Sequence, residues 1–79
     1  MRMKLPRTVL NTILEKYPIG CIVKAVLIRD PYRWIPSGTR GVVTFIDATG
    51  TVFVEWQNGV SLGAVYGIDI IERISSIDR

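Results

Sequence analysis

The sequence contains no histidine, a single cysteine and no apolar run approaching the length of a membrane span. Each absence removes a class of chemistry. Without histidine there is no Ser-His-Asp or Cys-His catalytic set, and no side chain whose ordinary pKa lies near neutrality. Cys21 alone can form neither an intramolecular disulfide nor a Cys/His zinc site, so the fold is expected to be held by packing, with no metal and no cofactor. A membrane helix needs about 18 or more consecutive apolar residues. Behind Arg2 and Lys4, a signal-like apolar stretch is interrupted by Pro6, Arg7, Asn11 and Glu15, so the expected location is the cytoplasm.

Apolar residues, by contrast, are abundant. Glycine together with Ala, Val, Ile, Leu, Met, Phe, Trp and Cys makes up 42 of 79 residues. A chain of this length forms one domain, 1–79, with a thin core, so part of that surplus is expected to lie against a partner or a second copy of the chain. The net charge of +3 conceals a division. Residues 1–40 carry eight basic and two acidic groups, whereas residues 41–79 carry two basic and five acidic groups. The basic half is the natural place to look for an anionic partner.

Pro6 suits a first helical turn, and Leu10, Ile13, Leu14 and Tyr17 recur at i, i+3, i+4 and i+7 before Pro18. This pattern predicts one short amphipathic helix over about 6–17, packed across an opening of the remaining fold. Beyond Gly20 the composition turns to Ile and Val in short runs separated by turn signals. Strands are predicted at 21–28, 39–46, 51–56, up to about 65, and 68–74. Asp30-Pro31 and Ile35-Pro36-Ser37-Gly38 bound a long first loop, while Asp47-Ala48-Thr49-Gly50 and Asn58-Gly59 mark tight hairpins. Asp47 and Asp69 are expected to accept backbone hydrogen bonds in their turns. In the third strand, Val52, Val54 and Trp56 share the core face and Phe53 points outward. The fold class is mainly β: a five-stranded, SH3-like barrel over about 20–74, preceded by the helix and followed by a tail, 75–79, expected to fray.

Tyr17-Pro18-x-Gly20, Asp30-Pro31, Pro36-x-Gly38-Thr39-x-Gly41-x-Val43, Asp47-x-x-Gly50, Trp56-x-Asn58-Gly59, Leu62 and Gly67-x-Asp69 occur in order. Together they resemble a small family of unknown function found in bacteriophages, prophages and conjugative elements. The resemblance implies a small β-rich domain of mobile-element origin, and no particular activity. It spans residues 17–72 and leaves the helix outside, as an addition of this member. Trp34-Ile35 and Gln57 depart from the family pattern. Gly38-x-x-Gly41-x-Val43 is also loosely similar to KOW-type barrels of ribosomal and transcription-elongation proteins, although a turn entering a strand produces the same spacing.

The densest chemistry lies in and beside the first loop: Arg29, Tyr32, Arg33, Trp34 and Arg40. Guanidinium forks suit phosphate, and aromatic faces accept a stacked base. The competing role for the two rings is to cap a barrel end, with Asp30 paired to an arginine. The expected function is a non-catalytic module that recognises a nucleotide or nucleic acid. The alternatives are a counter-defence inhibitor that blocks a host protein and an oligomeric structural module. Leu10, Phe53, Tyr66, Ile70 and Ile71 are the candidates for a homo-oligomer interface. No membrane partner is expected.

Overall fold

The computed structural model describes residues 3–75; of the tail expected to fray, 75–79, Ser75 instead ends the last strand and 76–79 lie outside the described residues. Helix α1 spans Arg7–Lys16, with Pro6 at its N-cap in extended backbone. At the other end Tyr17 leaves the helix, as expected of a residue preceding proline, while its amide still donates to the Ile13 carbonyl at 2.9 Å. The buried row is Ile13 and Tyr17, with Val9 and Leu10 packed beside it. Leu14 lies one position round the helix and stays 41% exposed, so the predicted stripe is rotated rather than absent. Ten residues cannot cross a membrane, and no described helix is long and apolar enough to do so.

Five strands follow: β1 (Ile22–Leu27), β2 (Arg40–Ile46), β3 (Val52–Trp56), β4 (Ser61–Ala64) and β5 (Ile70–Ser75). They form one antiparallel sheet in the order β4-β3-β2-β1-β5. The expected mainly β class therefore holds, with element ends within about two residues of those read from turn signals. Alternation sets the core: Val23 and Ala25 from β1, Val43 from β2, and Val52, Val54 and Trp56 from β3 are buried, while Phe53 points outward. Trp56 would bury an unpaired indole N–H, but Nε1 donates to the Leu62 carbonyl at 3.0 Å. Gly41 sits across from Trp56, and a side chain there would collide with Val54, with the Glu55 carbonyl at 2.8 Å and with the Trp56 ring at 2.9 Å.

The two sheet edges, β4 and β5, lie on either side of the residues that α1 covers. Ile13 and Tyr17 face Ala64 and Val65 at the end of β4 and Ile70 and Ile71 of β5, leaving a cleft of about 320 Å³. The chain ahead of the helix is also fixed. The Leu5 amide donates to the Ala48 carbonyl at 3.0 Å, and the Leu5 side chain packs over Gly50. Gly50 has φ +82°, which a side chain would strain, so the β2–β3 turn and its cover require glycine together.

Candidate ligand-binding surface

Aspartates build the connections. Asp47 Oδ1 accepts the amides of Thr49 and Thr51 at 2.9 and 3.1 Å and the Thr49 hydroxyl at 2.6 Å, closing the β2–β3 turn as expected of a turn aspartate. Asp69 reaches further. Its Oδ2 accepts the Val65 amide at 2.8 Å within its own turn, and its Oδ1 accepts the Arg29 amide at 2.7 Å, forty residues away. The start of the first loop is thereby tied to the β4–β5 connection.

The first loop is anchored along its length. Asp30 Oδ1 accepts the amides of Tyr32 and Arg33 at 2.8 and 3.0 Å, an Asx turn that replaces the expected pairing with an arginine. An Arg33 guanidinium N–H donates to the Ser61 carbonyl of β4 at 3.2 Å, and Asn58 Nδ2 donates to the Trp34 carbonyl at 3.2 Å. Ile35 plugs the core. The Gly38 amide returns to the Ala25 carbonyl at 2.7 Å, where β2 begins. Against this anchoring, Tyr32 is 91% exposed and Trp34 80% exposed. Neither ring caps the barrel; the buried apolar residue of the loop is Ile35.

The five residues proposed from the loop separate into three positions. Tyr32, Arg33 and Trp34 stand together. Arg40 lies on the outer face of the sheet, where Lys24 is its cross-strand neighbour and pairs with Glu72 at 3.5 Å. Arg29 is held beside Asp69 through its amide. Glu55 links the first two positions, because it lines both the shallow depression beside Arg40 and Val42 and the deeper groove rimmed by Arg33.

The apolar candidates do not form one face. Leu10 and Ile71 are half-buried and packed on the core, and the Ile71 carbonyl accepts the Tyr17 hydroxyl at 3.3 Å. Tyr66 and Ile70 are each 52% exposed at the mouth of the helix cleft. Phe53 belongs to the outer sheet face, where its ring lies 5.9 Å from that of Phe45 at an interplanar angle of 33°. Sequence reasoning missed Phe45. Strict alternation from the buried Val43 places it inside, but the β2–β3 register shifts between Val43 and Phe45 and turns the ring to solvent, 57% exposed. A β-bulge of this kind has no glycine or proline to announce it here.

Residues 6–74 match a family model described as a domain of unknown function (DUF4314). The chain belongs to that family. No curated protein and no solved structure matches it. The DUF4314 match begins at Pro6 and therefore includes α1, which corrects the reading of the helix as an addition of this member. Burial of Ile13 and Tyr17 gives the physical reason, since the domain's core is incomplete without them. Cys21, at the core end of β1, is a buried thiol whose pKa burial pushes up, against a smaller opposing pull from Arg73. A thiol held protonated is a poor nucleophile.

Proposed function

We propose that this DUF4314 protein is a non-catalytic binding module of a phage or mobile element, built on an SH3-like barrel and acting in the host cytoplasm. Its ligand is a nucleotide or nucleic acid, taken by Tyr32, Arg33, Trp34 and Arg40. One observation carries the reading: the loop backbone is fixed by Asp30, Arg33, Asn58 and Asp69, yet its two rings are almost wholly in solvent. A fixed loop loses little conformational freedom on binding, and an exposed Trp gains most from being covered by another ring. The Arg33 guanidinium on the same loop and the Arg40 guanidinium on the sheet face supply the complement to phosphate. The SH3-like layout is supported by the position of β5 beside β1 and by the long β1–β2 loop.

Titration with mononucleotides and with single- and double-stranded oligonucleotides at several salt concentrations tests this directly. The expected result is a log-log salt slope near 0.7 to 0.9 per phosphate contacted. Arg33→Ala and Arg40→Ala should weaken binding and move the melting temperature little, since both side chains lie at the surface. A shallow slope with capture of a host protein by the same surface would favour the inhibitor reading instead.

A second surface supports self-association. Tyr66, Ile68 and Ile70 are all about half exposed on the β4–β5 connection and the strand that follows it. A second copy covering them accounts for part of the apolar surplus.

A further inference from the structure

We infer that the groove on the outer face of β3 and β4 seats a guanine base of a single-stranded nucleic acid. The inference rests on the reading above and extends it from the loop to the sheet. The groove has a volume of about 390 Å³ and is lined by Phe45, Phe53, Gly63, Glu55, Ser61 and Arg33. Phe53 forms an aromatic floor, 37% exposed, with Phe45 beside it. Gly63 lies against the Phe53 ring, where even a β-carbon would approach within 3.1 Å, so the ring rests on bare backbone on that side and offers its remaining surface to the groove.

The polar groups select among bases. Ser61 Oγ lies 2.8 Å from both oxygens of Glu55 and fixes the carboxylate beside the floor. An ionised carboxylate has about four lone-pair sites, so one serine hydroxyl leaves capacity for two further donors. Guanine is the base whose Watson–Crick edge presents two adjacent donors, N1–H and the N2 amine. Adenine and cytosine place an acceptor nitrogen beside their amine, and thymine flanks its single N–H with carbonyls, all of which a carboxylate repels. Reading that edge requires an unpaired base, hence a single strand. Arg33 carries five N–H donors, of which the bond to Ser61 uses one; it lines this groove, and its chain neighbour Trp34 is exposed on the same loop. The strand would thus place its guanine on Phe53, the linking phosphate at Arg33 and the neighbouring base on Trp34.

The test is fluorescence anisotropy with labelled oligothymidylate carrying one central guanine, inosine, adenine or cytosine, at low salt. Guanine should bind about tenfold more tightly than adenine, with inosine between, because inosine lacks the N2 amine. Glu55→Gln should abolish that preference and, with one negative charge removed from the groove, bind plain oligothymidylate more tightly at low salt. Phe53→Leu, which keeps the apolar volume, should weaken every oligonucleotide about tenfold while melting as a folded protein; Phe45→Leu gives the same readout if the first variant does not fold. An unchanged guanine preference in Glu55→Gln overturns the inference. So does full affinity in Phe53→Leu when Trp34→Ala abolishes binding, an outcome that leaves the loop reading standing. Absence of oligonucleotide binding by the wild-type protein overturns both, as does a dimer that Phe53→Leu dissociates without any nucleic acid being bound.

Discussion

Asp69 spends its two carboxylate oxygens on two amides from different parts of the chain, Arg29 and Val65. Charge-assisted bonds of this kind each contribute more than neutral ones, so Asp69→Ala should lower stability by about 1.5 to 3 kcal/mol in urea denaturation. Asp69→Asn, which retains one carbonyl acceptor, should lose less. A loss below about 0.5 kcal/mol for the alanine variant would show that the two contacts are dispensable. At this scale the sequence is informative about local partners and silent about distant ones. Gly67-x-Asp69 signals a turn whose aspartate bonds Val65, and Asp47-x-x-Gly50 signals one whose aspartate bonds Thr49 and Thr51. Nothing in the order of residues announces that Asp69 also holds Arg29, or that Asn58 holds Trp34. Those pairings are set by strand order, which brings residues 29 and 69, and 34 and 58, to adjacent ends of the sheet.

Elements were legible wherever proline, glycine or Asn-Gly interrupts an apolar run, and their faces were legible wherever alternation is unbroken. β3 satisfies both conditions, and its buried and exposed residues alternate as expected. β2 fails the second at its bulge, which is why Phe45, half of the aromatic pair on the outer face, went unread. The helix falls between these cases. Its existence follows from period and proline, but its orientation depends on which row the cleft between β4 and β5 accepts, and that row is Ile13 and Tyr17. Ile13→Ala should therefore cost about 2 to 4 kcal/mol by thermal unfolding. Leu14→Ala, on the exposed side, should stay within about 0.5 kcal/mol. Equal effects from the two substitutions would mean that the helix sits in another rotation.

For the whole molecule, the apolar surplus seen in the composition is divided among three places. Some of it completes the core through α1, some forms the Phe45–Phe53 face, and some surrounds the helix cleft at Tyr66, Ile68 and Ile70. Only the last is clear of the basic surface around Arg33 and Arg40. On the self-association reading, light scattering at micromolar concentration should return a mass above the 8.9 kDa of one chain. The double variant Tyr66→Ser, Ile70→Ser should restore the single-chain mass without loss of oligonucleotide binding. A wild-type mass of one chain would remove that second surface from consideration. The basic half of the chain was visible from residue counts alone, whereas its division between loop and sheet face required the fold.

The bonds from Arg33 to the Ser61 carbonyl and from Tyr17 to the Ile71 carbonyl place a side chain of the same molecule on each edge strand, β4 and β5. A bare edge is a template on which another chain can extend the sheet, and this protein occupies part of both templates itself. Growth into fibrils is thereby discouraged for a small, apolar, strand-rich chain. On the proposed reading, contact with other molecules falls instead to side-chain surfaces, where recognition depends on which residues are displayed. On that reading Arg33 has two duties, and a variant that removes it uncovers the Ser61 carbonyl of β4 at the same time as it removes a cation.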